Sequence, residues 1–442
     1  MNRILQFLIF IFWGTLLYSQ NVVIDGVTFS ADRNILIKYP EDKVDEKYIV
    51  PEGTVVIGKE AFNGAKYLKE LSLPLSLNII EDYAFTLCYN LSIVTWKHFP
   101  QSIGKLLFMA TNVSVFYTSE DSDNCISVDE VLFSKDRKTL LCFPNAKKCN
   151  GEIYIIPESV ESINTSAFVE AGIETVVLPS TLTHINDFAF YYGPSNFVIT
   201  GKFPIIGNHV WNERRSFEVS ADNLYCQVSE NGFVYSKDGK TVHVAPIDIV
   251  DYLEGIEIID RYAFQDCLFY SGHVDIPGSV NLIREHAFDD IQIPIPTFSE
   301  SSHNINFACD ALTPPELEGE VFTENNVGNS TLFVPKGSEE LYKATPQWNT
   351  FGAIKTPGPP QGVFEKSASA LKVNCVDGAI YIETLKPLET VRLIDLNGSV
   401  VYEKNRVNSN NTTCNTSFLD GFFGLLQVIY EDGDREVIKL NF

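Results

Sequence analysis

The sequence predicts a solenoid, mainly β with inserted β-hairpins, followed by a small antiparallel β-sandwich. Three observations support this prediction. A short motif from isoleucine to an aromatic residue recurs through much of the chain, a hairpin-like motif recurs over a longer period, and a segment rich in proline and glycine separates these repeats from a tail of alternating strands. Recurrence at a fixed period is typical of stacked repeats, because each unit buries its apolar face only against its neighbours.

The N-terminus has the pattern of a secretory signal peptide. Arg3 precedes a nearly unbroken apolar stretch over residues 4–18, and the small residue Ser19 follows it. A positive charge, a short apolar region and a small residue are the three parts of such a leader. We predict a signal peptide over residues 1–19, cleaved after Ser19. An uncleaved membrane anchor is the alternative, although about 15 apolar residues barely span a bilayer.

Composition and charge narrow the class of protein. The chain has 442 residues, of which 45% are hydrophobic, so it can bury a large core. It carries 57 acidic and 33 basic residues, a net charge of −24. Such an acidic surface repels phosphate backbones, so we expect no nucleic-acid partner. The nine cysteines are scattered and lack CxxC spacing, which argues against a disulfide framework and a zinc knuckle. Individual disulfides stay open, with Cys142 and Cys149 the closest pair.

A six-residue motif that begins with isoleucine and ends with Phe or Trp occurs eight times. The copies are Ile57–Phe62, Ile80–Phe85, Ile103–Phe108, Ile163–Phe168, Ile185–Phe190, Ile206–Trp211, Ile259–Phe264 and Ile283–Phe288. Six copies have alanine before the aromatic residue, and within a group the aromatic residues are 21 to 24 positions apart. We interpret each unit as one coil of a solenoid. The isoleucines and aromatic residues should stack into buried ladders, and the alanine should leave room for close packing.

A proline lies six residues before the isoleucine in five copies and follows a short β-like run. These prolines are Pro51, Pro74, Pro157, Pro179 and Pro277. Because proline lacks an amide hydrogen, it should end the strand and turn the chain. The strand before it should pair with the same strand in the coils above and below.

A longer motif divides the repeats into three modules. It occurs at Phe29–Leu36, Phe133–Leu140 and Tyr235–Val242, with spacings of 104 and 102 residues. Each copy has two β-rich arms around an Asp-Arg or Asp-Gly turn, which predicts a β-hairpin. A new group of coils follows each copy. The module is therefore about 100 residues long and consists of a hairpin followed by two or three coils.

These coils resemble the BspA-like leucine-rich repeats of secreted and surface proteins. The predicted fold class of residues 20–354 is accordingly a leucine-rich-repeat solenoid in three modules, and Thr331–Ile354 is similar to the segment that often closes such arrays. The resemblance implies a cell-surface or secreted protein without enzymatic activity. It also implies binding to other proteins, through adhesion to host proteins or to other cells.

The tail is predicted to be a separate domain. Residues 355–366 form a linker, whose part Lys355–Gly362 contains three prolines and two glycines. Residues 367–442 contain alternating strands that predict a β-sandwich. The runs Val391–Lys404, Leu419–Tyr430 and Val437–Phe442 resemble C-terminal sorting domains of the type IX secretion system. That resemblance implies contact with the secretion machinery through residues 367–442. A plain C-terminal cap is the alternative.

The sequence contains no recognisable catalytic motif. HExxH, GxSxG, P-loop and GxGxxG patterns are all missing, so we predict no enzyme, no cofactor and no metal site. The outward side chains of the strands are the candidates for a partner-binding face, selected two and four residues before each proline. They are Lys47, Glu70, Ser72, Thr175, His273 and Asp275. For each of them, a solvated strand residue is the alternative interpretation.

We therefore expect an exported protein at the outer-membrane surface or in the medium. No transmembrane segment should be left after the signal peptide is removed, and the partner should be a protein or glycan outside the cell. The alternative is a secreted glycan-capturing or polysaccharide-processing protein with an unrecognised site. Such a site would need two carboxylates roughly 5 to 10 Å apart in a cleft.

Overall fold

The computed structural model divides the chain into two compact units, which meet in sequence between Thr356 and Pro357. It describes residues 20–211, 215–249, 255–269, 273–292, 305–322, 327–356, 372–376, 379–395, 400–415, 423–431 and 435–441. The predicted signal peptide, residues 1–19, and most of the predicted linker, residues 355–366, lie outside these ranges. The first unit contains the repeats and the second contains the tail.

The strands before the prolines stack in parallel, which confirms the predicted pairing between coils. Each module has one four-stranded parallel sheet, called its face sheet. The first contains Lys47–Ile49, Glu70–Leu73, Ile93–Trp96 and Val115–Thr118; the second contains Ile153–Ile155, Thr175–Leu178, Asn196–Ile199 and Ser216–Val219; the third contains His273–Ile276, Asn306–Cys309, Thr331–Phe333 and Ala353–Lys355. Along a strand, buried and outward side chains alternate, as in Glu70–Leu73.

A six-stranded sheet in each module joins the hairpin to short strands at the repeated isoleucines, and it is called the flank sheet. The first contains Val22–Ile24, Val27–Phe29, Ile35–Lys38, Val56–Ile57, Ile79–Ile80 and Ser102–Ile103; the second contains Cys125–Val128, Val131–Ser134, Thr139–Cys142, Ser162–Ile163, His184–Ile185 and Ile205–Ile206; the third contains Cys226–Val228, Val234–Ser236, Thr241–Val244, Ile258–Ile259, Leu282–Arg284 and Glu316–Glu318. The third module also has a parallel pair, Asp248–Ile249 and Leu268–Phe269. The predicted hairpins are confirmed, and an additional antiparallel strand precedes each one.

The isoleucines and aromatic residues form the buried ladders that the sequence predicts. Ile57 pairs in register with Ile80, and the ring centroid of Phe85 lies 5.4 Å from that of Phe62 and 5.1 Å from that of Phe108. Equivalent ring pairs are Phe168–Phe190 at 4.9 Å, Phe190–Trp211 at 5.6 Å and Phe264–Phe288 at 5.5 Å. Each such contact adds roughly 0.5–1.5 kcal/mol to the gain from burial.

The alanine before each aromatic residue is a packing and hydrogen-bonding position. The amide nitrogen of Phe62 donates to the carbonyl oxygen of Ala84 at 2.8 Å, and that of Phe168 donates to Ala189 at 2.7 Å. Ala84 and Ala189 are completely buried. Phe85 and Phe190 donate in the same way to the carbonyl oxygens of Leu107 and Val210, so the bond itself does not require alanine. The complete burial of Ala84 and Ala189 agrees with the predicted close packing at this position.

The structure extends the ladders beyond the sequence motif. The hairpins contribute a first ring in two modules, because Tyr39 lies 5.1 Å from Phe62 and Phe143 lies 4.9 Å from Phe168. A further coil contributes Phe322, whose ring is 5.8 Å from that of Phe288. In that coil leucine takes the isoleucine position, so the isoleucine motif does not predict it.

Each coil turns through left-handed backbone beside its aromatic residue. The second residue before the aromatic has positive φ in all eight copies, and these residues are Glu60, Tyr83, Leu106, Ser166, Phe188, His209, Tyr262 and His286. The conformation costs an ordinary residue about 1 kcal/mol or more. Stacking of the coils must offset this cost, since none of these eight residues is glycine.

The closing segment covers the end of the array. Its helix, Glu339–Ala344, carries Tyr342, whose hydroxyl donates to the carbonyl oxygen of Ala311 at 2.8 Å. Trp348 is fully buried, and its ring lies 4.9 Å from that of Phe322. No helix among the described residues is both long and apolar enough to cross a membrane.

The described cysteines of the first unit are free thiols, so no disulfide joins Cys142 and Cys149. Cys88 and Cys267 are completely buried in the coil interiors, as their position three residues after an aromatic residue predicts. Burial raises the pKa of the Cys88 thiol to about 12. Such a thiol is a packing residue and a poor nucleophile.

The second unit is antiparallel β, as predicted for the tail. Its strands are Lys372–Val376, Ala379–Asp395, Val400–Asn415, Phe423–Tyr430 and Arg435–Asn441. The register of the long strand Ala379–Asp395 shifts between Glu383 and Leu388. Lys372–Val376 pairs with the part before this shift, and Phe423–Tyr430 pairs with the part after it. Ile380 and Val391, from opposite halves of that strand, belong to one buried cluster. The two halves of the sheet therefore share a core.

Candidate binding face

The outward side chains of each face sheet lie in rows, because neighbouring strands pair in register. In the first face sheet, Lys47 pairs with Glu70, and Ile49 pairs with Ser72. Neighbouring strands are about 4.8 Å apart, so outward side chains at matching positions are in contact range. A face sheet therefore presents rows with one side chain from each coil.

Ion pairs join neighbouring coils of the first module. Lys47 Nζ lies 2.8 Å from a carboxylate oxygen of Glu70, on the next coil. Lys69 and Glu46 form a second cross-coil pair at 2.6 Å. Exposed pairs of this kind contribute about 0–1 kcal/mol to stability. Their main effect is that these lysines and glutamates already have partners of opposite charge.

The six residues selected from the sequence lie on three separate sheets. Lys47, Glu70 and Ser72 are outward neighbours on the first face sheet, as their spacing predicts. Thr175 lies on the second face sheet, at a position that pairs with Ile153 on one side and Asn196 on the other. His273 and Asp275 occupy alternate positions of one strand of the third, where they pair with Asn306 and Ala308. The six residues therefore belong to three different faces and do not form a single site. Their role in binding stays a prediction.

The selection from sequence missed the most exposed apolar residues of the faces. Ile153 and Ile155 have 47% and 69% of their surface exposed, and Ile49 has 70%. Ile49 and Ile155 lie two residues before Pro51 and Pro157, the same position that identified Ser72 and Asp275. The spacing to the proline therefore also predicts outward positions for Ile49 and Ile155, although the predicted binding face contains only polar residues.

A histidine and two aspartates meet where the second and third modules join. His209 Nδ1 is 3.1 Å from a carboxylate oxygen of Asp266, and His209 Nε2 is 3.3 Å from one of Asp290. A hydrogen bond to Asp266 raises the pKa of His209, although burial opposes the shift. These side chains are of the types that bind divalent metals, and their ligand atoms lie within 4.8 Å of one another.

Each ring nitrogen of His209 faces a different carboxylate, which is the arrangement of a protonated imidazole between two anions. A metal ligand would instead direct one nitrogen at the ion and use the other for a supporting hydrogen bond. His209 comes two residues before Trp211, whereas Asp266 comes two residues after Phe264. The sequence could not reveal the contact because it joins different coils, 57 residues apart.

A cleft of about 330 Å³ lies in the third module and is lined mainly by apolar residues. Asp289 and Asp290 contribute its carboxylates, and each is paired with a histidine, His286 and His209 respectively. Burial raises the pKa of Asp289. Both carboxylates of the cleft are therefore already engaged with histidines.

Comparison with known families identifies the repeats. The family described as "BspA type Leucine rich repeat region" matches in six copies, over residues 45–145, 141–237 and 242–319. These ranges contain the first two face sheets and two strands of the third, His273–Ile276 and Asn306–Cys309. No curated protein matches the chain.

Several solved structures resemble the chain. A leucine-rich repeat protein from Eubacterium ventriosum is 17% identical, with 64% of this chain and 96% of that chain covered and a TM-score of 0.31. A leucine rich cell surface protein from Faecalibacterium prausnitzii is 18% identical, with 77% and 95% covered and a TM-score of 0.33. The pneumococcal vaccine antigen PcpA is 14% identical, with 76% and 87% covered and a TM-score of 0.28.

Proposed function

The chain belongs to the BspA-type leucine-rich repeat family, and from this premise we propose that it is an exported surface protein whose repeat array binds a macromolecule outside the cell. The observation that carries the proposal is the contrast between the two sides of the face strands. Their inward residues are uniformly apolar, whereas their outward residues differ from coil to coil. A constant interior with a variable exterior is the arrangement of a binding scaffold.

The same arrangement favours a role in recognition without catalysis. Repeat faces are broad and shallow, and the polar groups described on the outward rows pair with one another, as Lys47 does with Glu70, rather than forming a nucleophile with a base. The buried thiol of Cys88 is a packing residue and a poor nucleophile, because burial raises its pKa to about 12. The alternative, a polysaccharide-processing or glycan-capturing protein, gains no support from the cleft beside Asp289 and Asp290.

Export and surface attachment are part of the proposal. The predicted leader over residues 1–19 would start export. The second unit, which is antiparallel β, would act as a sorting domain that contacts the secretion machinery through residues 367–442. Adhesion to host proteins or to other cells is the proposed purpose of the exposed array.

Surface plasmon resonance tests the binding proposal. The protein from residue 20 onward would be passed over immobilised extracellular-matrix proteins and a panel of glycans. We expect saturable binding to at least one matrix protein and none to unrelated serum albumin. A well-folded protein that binds neither matrix proteins nor glycans would contradict adhesion.

Cell fractionation tests the export proposal separately. The full chain and a variant that ends at residue 356 would be produced in a bacterium with a type IX secretion system. The full chain should reach the outer surface, and the shortened chain should accumulate in the periplasm. Equal surface display of both chains would contradict a sorting role for the second unit.

A further inference from the structure

The second face sheet differs from the first in having no basic residue. Its strands, Ile153–Ile155, Thr175–Leu178, Asn196–Ile199 and Ser216–Val219, contain neither lysine nor arginine. On the first face sheet, by contrast, Lys47 is paired with Glu70. An acidic side chain on the second face sheet therefore has no lysine or arginine of these strands with which to form an ion pair.

An apolar row crosses the second face and ends at a carboxylate. Ile155 pairs in register with Val177, Val177 with Val198, and Val198 with Glu218. With strands about 4.8 Å apart, the three aliphatic side chains form a ridge about 10 Å long. Ile155 has 69% of its surface exposed, and Glu218 is exposed at the far end of the ridge.

A polar row runs beside the ridge and also leads to a carboxylate. The Ser216 hydroxyl donates to Asn196 Oδ1 at 2.7 Å, and Asn196 Nδ2 donates to Glu174 Oε1 at 3.2 Å. Glu152 lies next to Glu174, since the amide nitrogen of Glu174 donates to the carbonyl oxygen of Glu152 at 2.9 Å. Glu152, Glu174 and Glu218 are exposed. The ion pairs among the described residues, such as Lys47 with Glu70 and Lys138 with Glu161, include none of these three glutamates.

We propose that the second face sheet is the docking surface for a protein segment that presents aliphatic side chains next to lysine or arginine. The inference rests on the proposed binding function and specifies its module and its partner. The aliphatic side chains would cover the ridge of Ile155, Val177 and Val198, and the cations would pair with Glu218 and Glu174. An apolar centre with a charged rim is the usual organisation of a protein interface.

Charge decides between this partner and the others. A second copy of the chain would bring carboxylates against carboxylates, because the chain has a net charge of −24. A neutral glycan would leave the glutamates without cations and the ridge without an aliphatic partner. A basic, aliphatic segment satisfies both features, and the charge also accelerates its association.

Immobilised twelve-residue peptides provide the probe. One peptide alternates valine and lysine, a second alternates valine and glutamate, and a third alternates serine and lysine. The protein from residue 20 onward should bind the first peptide at least tenfold more tightly than the other two. This binding should weaken as salt rises from 0.05 to 0.5 M, since exposed charge pairs are screened.

Three variants locate the surface. Ile155→Lys and Glu218→Lys should each weaken binding to the valine–lysine peptide by about tenfold or more, because each places a cation against the cations of the probe. The matched control is Ile49→Lys, since Ile49 occupies the same position in the first module and is 70% exposed. It should leave binding unchanged. Circular dichroism and the unfolding midpoint should be the same for all three variants as for the parent.

The outcomes separate this inference from the proposed function. Equal binding of the serine–lysine peptide, or equal loss in Ile49→Lys and Ile155→Lys, would overturn the inference. If the peptides do not bind but a matrix protein does, the second face is not the docking surface and the adhesion proposal stands. If the valine–lysine peptide binds as expected and no matrix protein does, the surface is correctly assigned and host-matrix adhesion is wrong.

Discussion

A ring inside an aromatic ladder contacts neighbours on both sides, so its removal affects two coils at once. Phe168 lies 4.9 Å from Phe143 and 4.9 Å from Phe190, and it is fully buried. We predict that Phe168→Ala lowers the free energy of unfolding by about 3–5 kcal/mol, the range for buried aromatic residues. Urea unfolding followed by tryptophan fluorescence measures the change.

The control for this prediction is an exposed aromatic residue. Tyr67 has 48% of its surface exposed. Tyr67→Ala should change the free energy of unfolding by less than about 0.5 kcal/mol. Equal effects of Tyr67→Ala and Phe168→Ala would contradict the ladder as the source of stability.

Thiol reactivity gives a second prediction for single residues. Burial raises the pKa of Cys88 to about 12, so the thiolate is scarce at pH 8 and the sulfur is also inaccessible. We predict that a disulfide reagent labels the half-buried Cys149 before Cys88, which should react only after unfolding. Mass spectrometry of the labelled peptides distinguishes the two. Labelling of Cys88 in the native protein at the rate of Cys149 would contradict its burial.

Some single-residue features follow from the sequence and others do not. The burial of Ala84 and Phe85 is predictable, because their spacing repeats in neighbouring coils. The left-handed backbone at Tyr83 and Phe188 is not predictable, since glycine is the usual residue in that conformation and these residues are large. Their conformation is determined by the stacked coils and not by local preference.

At the scale of one coil, glycine after the repeated isoleucine allows the backbones to approach closely. A Cβ atom on Gly207 would lie 2.7 Å from the amide nitrogen of Asp187, in the preceding coil. We predict that Gly207→Ala destabilises the protein by about 1–3 kcal/mol, as overpacking does. Thermal unfolding measures the loss.

Gly58 is the matched position in the first coil of the array. A Cβ atom there would lie 3.3 Å from the carbonyl oxygen of Leu36, a tight contact that a small movement relieves. Gly58→Ala should therefore cost less than Gly207→Ala, and reduced freedom of the unfolded chain should offset part of the cost. The opposite order would contradict backbone approach as the reason for the glycine.

The coils of the array are predictable where the motif from isoleucine to the aromatic residue is complete, and they are not predictable where another residue replaces the isoleucine. The face strands that end at Pro74 and Pro179 match the prediction, because proline cannot continue the ladder of hydrogen bonds. The coil at Leu317–Phe322 was missed, since leucine replaces isoleucine and its distance from the previous coil is longer. The physical requirement at this position is an apolar side chain of suitable size, whereas the sequence motif specifies isoleucine.

For the repeat array as a whole, the junction of the second and third modules should respond to pH. A hydrogen bond to Asp266 raises the pKa of His209 in the folded protein above its ordinary value of 6.5. The protonated form is thus favoured by folding, and the resulting stability is fully present below about pH 6.5. It is lost as the pH rises through the raised pKa. We predict that the stability conferred by His209 declines as the pH rises from about 6.5 through the raised pKa.

His209→Leu is the matched variant, because Leu106 has the corresponding position and the same left-handed backbone in the first module. The difference in free energy of unfolding between parent and variant should be largest at pH 5.5 and should shrink toward pH 9. Chemical denaturation at several pH values measures it. A difference that does not vary with pH would contradict a charged imidazole between Asp266 and Asp290.

The array was predictable as a whole, whereas its surface chemistry was only partly so. Spacing determines the coils and their order, because buried ladders require the same residue types at the same positions. The outward position of Ile155 and Val177 follows from their spacing to Pro157 and Pro179, but the residue type at that position does not repeat, since solvent tolerates many side chains. The contact of His209 with Asp266 depends on how two modules stack, which no local pattern encodes.

The hairpin ring at the start of a ladder has a consequence for the evolution of the protein. Tyr39 and Phe143 each cover the first coil ring of their own module, Phe62 and Phe168. A gene that duplicates or deletes the stretch between successive hairpins would produce a longer or shorter protein in which these rings are still shielded from water. Descendants can thus vary in reach, and in the number of outward surfaces they display, while the interior keeps its composition.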